Sequence, residues 1–162
     1  MFTASDDGGR SGTDTGGAPS VEVWRRIVDR ATQLLGPVYA DVTESQAELG
    51  DAATGIRLVL SAGSGTITVP YGARGDAADE LLRKLYGLGA IVEEETGLVG
   101  YDPQVGRPLR SVTDLAGARV SFDLVAGMFA RAEATRRRAA QRRAQKERAQ
   151  RSGGADPMAG RG

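Results

Sequence analysis

Residues 66–104, TITVPYGARGDAADELLRKLYGLGAIVEEETGLVGYDPQ, decide the fold, because they read as strand, helix, strand. The first six are β-branched or aromatic at alternate positions, with Ile67, Val69 and Tyr71 on one face and Thr66, Thr68 and Pro70 on the other. Pro70 has no N–H to give a ladder, so it belongs at a strand end or edge. A helix follows, with Asp76 as its expected cap and Ala78, Leu81, Leu82, Leu85, Leu88 or Gly89, and Val92 as its apolar stripe. Gly87 and Gly89 each cost the helix about 1 kcal/mol against Ala unless close packing, here expected against a sheet, makes use of them. Gly97 stops the helix, residues 98–101 form the next strand, and Pro103 and Pro108 bar regular structure beyond.

The flanking segments complete the pattern. IRLVLS at 56–61 and TITVPY at 66–71 are joined by the Gly-containing residues 62–65, a hairpin signature. VYADVTESQAEL at 38–49 alternates as one or two strands and leads into a turn at 50–55. In SVEVWRRIVDRATQLLGP, residues 20–37, Val21, Trp24, Ile27, Val28, Ala31, Leu34 and Leu35 have helical spacing. Ser20 suits the N-cap, Gly36 and Pro37 the stop, and Trp24 falls on the stripe as a core anchor. A last long helix is expected from about Ser121, docked through Val125, Met128, Phe129 and Ala132. The order is helix, one or two strands, hairpin, helix, strand, long helix. It implies an α+β domain whose sheet of about four strands is covered on one face by two amphipathic helices. The expected organisation is a disordered tail at 1–19, an α+β body at 20–124, a basic helix at 125–151 and a second disordered tail at 152–162.

Composition excludes several chemistries. The chain has no cysteine and no histidine, which removes disulfides, thiol catalysis, thiolate metal sites, the Ser-His and Cys-His pairings and the commonest zinc ligand. No cofactor or metal is expected, and no enzymatic constellation stands out. Glu93, Glu94 and Glu95 do not make a metal site, since successive helical residues point about 100° apart; they are expected to form a solvated helix end. No run reaches the ~20 apolar residues of a membrane helix, and the first residues lack an export signal's apolar core. A chain of this kind is expected in the cytoplasm, away from membranes.

A candidate binding rim follows from the strand–helix–strand unit. If its strands are parallel, residues 71–75 and 101–104 both follow carboxyl ends and share one rim, where ligands of open α/β sheets gather. Arg74, Tyr101, Asp102 and Gln104 are the candidates there, with the tyrosine hydroxyls. The competing reading is architectural, with Asp102 capping a turn before Pro103 and pairing with Arg74; turn chemistry alone accounts for these residues.

The charge distribution supplies a second candidate surface. Residues 131–151 hold nine basic and two acidic side chains, a net of +7, whereas residues 1–130 hold eleven basic and eighteen acidic, a net of −7. Arg136, Arg137, Arg138, Arg142, Arg143, Lys146, Arg148 and Arg151 spread around a helix instead of along one stripe. No Trp, Phe or Leu stripe opposes them for a membrane surface, and no aromatic offers a platform for stacked bases. Charge runs of this kind mark interaction tails, so the partner is expected to be another protein, with the phosphate backbone of a nucleic acid as the alternative.

Residues 66–109, through Gly97, Leu98 and the run Tyr101, Asp102, Pro103, Gln104, resemble a group of small uncharacterised bacterial α/β proteins in which a helix, Gly-Leu, a strand and a YDPQ-like ending follow in order. Some members look like immunity or accessory proteins that bind a partner. The resemblance therefore implies a non-enzymatic interaction module and carries over no catalytic residue.

Overall fold

Ser20 opens helix α1 (Val21–Leu35) by accepting the Val23 N–H on its hydroxyl at 3.4 Å. Trp24, Ile27, Ala31 and Leu35 turn inward from the helix, and Trp24 is only 6% exposed, as its stripe position implied. The computed structural model describes residues 2–3, 17–61, 63–111 and 115–152. Its first unit, Met1–Asp123, carries the strands, α1 and a second helix α2 (Asp76–Thr96); its second, Leu124–Gly162, carries most of the last helix.

Four strands after α1 form an antiparallel meander: β2 (Tyr39–Val42), β3 (Ala47–Gly50), β4 (Arg57–Ser61) and β5 (Ser64–Thr68). The 38–49 segment is thus two strands. Ala47, Leu49, Leu58 and Leu60 are fully buried on one face and join the α1 and α2 side chains in a single core. The fold is α+β, with the two amphipathic helices on one face of the sheet.

The β3–β4 turn is built around Asp51, which is 3% exposed. Its carboxylate accepts the Thr54 hydroxyl at 2.5 Å and the N–H groups of Ala53 at 2.9 Å and Thr54 at 3.2 Å. Burial alone raises the pKa of this carboxyl, but the Thr54 hydroxyl and the two N–H groups outweigh burial and hold it below its ordinary value. Because the folded value is the lower one, the stabilisation is complete above the ordinary pKa of 3.8 and fades as pH falls through the folded value. Asp51→Asn is expected to cost about 1–2 kcal/mol at neutral pH, and urea titrations from pH 7 to pH 2 are expected to show a shallower acid loss in the variant.

Helix α2 (Asp76–Thr96) buries Ala78, Leu81, Leu82, Leu88, Gly89, Ile91 and Val92, with Leu85 partly buried, so the expected stripe holds. Its N-cap is Gly75, not Asp76, which is already helical; Gly75 accepts the Ala78 N–H on its carbonyl at 2.9 Å. Gly97 closes the helix at φ 73°, a left-handed conformation open to glycine at little cost. Gly87 serves α1 and not the sheet, since a Cβ there would lie 2.9 Å from Leu34 Cδ2. Gly87→Val is expected to lose about 1–3 kcal/mol through overpacking, read as a lower denaturant midpoint.

The glutamates ending α2 are not a solvated cluster. Glu93 is 4% exposed; its Oε1 accepts the Gly100 N–H at 2.7 Å and its Oε2 meets Arg110 Nε at 3.0 Å. Glu95 receives Arg26 at 2.6 Å and Arg30 at 2.8 Å, and Glu94 receives Arg30 at 2.6 Å. Arginines supplied by other elements therefore neutralise three acids that the α2 C-terminus disfavours.

Strand β6 (Val99–Asp102) follows α2 and pairs with β7 (Arg107–Pro108). Between β5 and β6 lies β1 (Phe2–Thr3), antiparallel to both, so the sheet order is β2-β3-β4-β5-β1-β6-β7. The strands flanking α2 accordingly run parallel to one another, but they are neighbours of β1 and not of each other. Most of the expected tail 1–19 lies outside the described residues; its strand at Phe2–Thr3 is an element that the expectation did not include.

Helix α3 (Leu115–Ser152) starts six residues before the expected Ser121, after a short 3-10 turn at Leu109–Ser111. Ala118 and Phe122 are its buried contacts in the first unit, at 3% and 1% exposure. Met128, Phe129 and Ala132, expected as docking residues, are exposed.

Candidate functional site

The two loops after β5 and β6 do meet. Tyr71, Tyr101, Asp102, Pro103 and Gln104 line a pocket of about 320 Å³ whose walls also include Thr66, Ile67, Thr68 and Val69. Leu82 and Leu85 from α2, Leu109, and Ala118 and Phe122 from α3 supply an apolar lining. The Tyr71 ring packs on Phe122 with centroids 5.2 Å apart and planes at 35°.

Asp102 organises the polar side of the pocket. Its Oδ1 accepts the N–H groups of Gln104 at 2.8 Å and Val105 at 3.4 Å, and its Oδ2 accepts the Tyr86 hydroxyl at 2.6 Å. The Asp102 carbonyl takes the Gly106 N–H at 2.8 Å, which closes the turn. Gln104 Nε2 donates to the Tyr71 hydroxyl and so bridges the two loops. Burial raises the pKa of Tyr86 strongly, and the bond to Asp102 and its negative charge raise it further. Burial also raises Tyr71, with the charge of Asp102 adding to it and the Gln104 bond working against it. Both phenols therefore stay protonated across the physiological range, as hydrogen-bonding groups and not as bases.

Three of the four rim candidates, Tyr101, Asp102 and Gln104, line this pocket. Arg74 does not: its Nη1 donates to the carbonyls of Tyr71 at 3.0 Å and Ala73 at 2.8 Å, so the expected Arg74–Asp102 pair is replaced by loop-closing bonds. The partner of Asp102 is Tyr86, which sequence reasoning missed. Its signal was present, since Tyr86 sits one residue beyond Leu85 and four beyond Leu82, at the margin of the apolar stripe. Arg119 was missed as well. It donates to the Gly75 carbonyl at 2.8 Å, to Asp79, and to Asp123 at 2.9 Å, tying the start of α3 to the start of α2.

The second candidate surface lies in the second unit. Residues 128–148 of α3 are exposed throughout, including Arg136, Arg137, Arg138, Arg142, Arg143, Lys146 and Arg148. At about 100° per residue these cations occupy every side of the helix. Arg137 pairs with Glu133 one turn earlier. The side chain of Arg151 lies outside the described residues. Among the described residues no group of three or more acids is placed to hold a metal ion, and no helix is long and apolar enough to cross a membrane.

No family model, curated protein or solved structure matches the chain.

Proposed function

We propose that the protein is a non-enzymatic interaction module of the cytoplasm, which binds a protein partner through its α+β body and steers the encounter with its basic helix. The observation that carries this reading is the unbroken exposure of residues 128–148 with cations on all sides. Such a helix presents charge to an acidic surface from any approach, which raises encounter rates and selects for charge complementarity. The candidate pocket supports a binding role over a chemical one, because Tyr71 remains protonated and the Asp102 carboxylate is occupied by a turn and the Tyr86 phenol. The resemblance of residues 66–109 to small bacterial accessory proteins belongs to the same proposal.

The test is recovery of partners from the native host by the full chain and by a chain ending at residue 130. A protein retained by the full chain and lost with the truncation supports the proposal. Retention that vanishes after nuclease treatment overturns it in favour of phosphate-backbone binding.

A further inference from the structure

Cations occupy every side of α3 in the second unit, but its acids do not. Glu133 and Glu147 are two heptads apart and share one side, where Arg136 and Arg143 lie next to them and Arg137 pairs with Glu133. Arg131, Arg138, Arg142 and Lys146 gather on the opposite side, within an arc of about 80° at 100° per residue. Among the described residues no carboxylate pairs with any of these four. Leu124 and Met128 begin the same line, 67% and 62% exposed. The line steps by four and three residues in turn through Leu124, Met128, Arg131, Thr135, Arg138 and Arg142, the spacing of a coiled-coil seam. From Leu124 to Lys146 it runs about 33 Å.

We propose that this line docks one amphipathic helix of a partner protein, antiparallel to α3, with apolar residues over Leu124 and Met128 and carboxylates over the four cations. The inference rests on reading the protein as an interaction module, and it gives the basic helix a contact surface beyond steering. The partner chemistry follows from the line itself: four cations with no carboxylate of their own call for acids, and two exposed apolar side chains at one end call for an apolar anchor. Direction follows from the helix dipole. Run antiparallel, the partner carries its acids in its N-terminal half, where its own macrodipole favours them.

Other occupants fit less well. A seam of this spacing keeps facing a second helix along its whole length, whereas an extended strand turns alternate side chains away. A second copy of the chain sets like charges together. In parallel each cation meets itself, and in antiparallel Arg131 meets Arg138 while Leu124 meets Lys146. A phosphate backbone has no use for Leu124 and Met128. A membrane surface calls for apolar residues opposite the charge and not in line with it.

The probe is a fluorophore-labelled, capped peptide helix rich in alanine and glutamine, carrying four glutamates and then two leucines at seam spacing. Anisotropy compares the full chain with two full-length variants that lose the same charge. One carries Arg131→Gln, Arg138→Gln, Arg142→Gln and Lys146→Gln; the other carries Arg136→Gln, Arg137→Gln, Arg143→Gln and Arg148→Gln. The first is expected to bind about tenfold or more weakly and the second within about threefold of the unaltered protein, with far-UV circular dichroism unchanged in both. Leu124→Gln together with Met128→Gln is expected to weaken the probe about fivefold. Equal losses in the two four-site variants, or no loss from the Leu124 and Met128 substitutions, overturn the docking line and leave electrostatic steering in place. Tighter binding of a short DNA duplex that ignores those two substitutions overturns it in favour of a phosphate backbone. No saturable binding of the probe overturns it as well, and capture of a host protein by the full chain then decides the wider reading separately.

Discussion

Phe122→Ala is expected to destabilise the protein by about 3–5 kcal/mol, the largest single-residue effect that the fold implies. Phe122 is 1% exposed, stacks obliquely on Tyr71, and touches the same pocket as Leu82 and Leu85. Truncation leaves a void that none of these neighbours can fill without shifting the rim. Urea unfolding followed by far-UV circular dichroism measures the loss. An unchanged slope with a lower midpoint identifies it as lost stability and not a changed unfolded state. Val120→Ala is the control: Val120 is 70% exposed two residues earlier on the same helix, and its truncation is expected to stay within about 0.5 kcal/mol. A small effect at Phe122 would mean that the first turns of α3 are not part of the core.

The second large effect is on binding. Replacing Arg136, Arg137, Arg138, Arg142 and Arg143 together with Gln is expected to leave stability within about 0.5 kcal/mol, because all five are exposed and Gln is a comparable helix former. Affinity for the captured partner is expected to fall at least about fivefold, since each exposed charge pair contributes some 0.2–1 kcal/mol. Raising ionic strength from about 0.1 M to 1 M is expected to reproduce that loss in the unaltered protein, because screening shortens from about 10 Å to 3 Å. Titration by surface plasmon resonance at the two salt concentrations reads both effects. Affinity indifferent to both the substitutions and the salt would remove the basic helix from the interaction.

The parts of the fold that were legible in the sequence are those with a period. The stripes of α1 and α2 name most of their buried residues because apolar spacing at 3.6 leaves little choice of face, although Val21, expected on the α1 stripe, is 82% exposed at the first position of the helix. The meeting of Tyr71 with residues 101–104 was legible on the condition that the two strands flanking the helix run parallel, which antiparallel pairing of both to β1 supplies. Other features had no such signal. A two-residue strand such as β1 has no alternation to detect, and its partners lie more than sixty residues away. The carbonyl bonds of Arg74 depend on loop geometry, whereas charge matching favoured Asp102. Glu93 shows how a correct premise can mislead. Three consecutive acids do point in different directions on a helix, and that same divergence turns one of them into the core while its neighbours meet arginines of α1.

Gly87 bears on how the molecule divides. A helix with glycines at 87 and 89 is a poor helix by itself, and the space left by the missing Cβ at Gly87 is filled by Leu34 of a different element. Residues 66–104 look like a self-sufficient crossover, yet their helix depends on α1 for its order. A peptide excised with those limits is expected to be largely unstructured in water, and adding an α1 peptide in trans is expected to restore helicity. The cooperative unit of folding is therefore wider than the motif, and a minimal fragment of this protein has to start no later than Ser20.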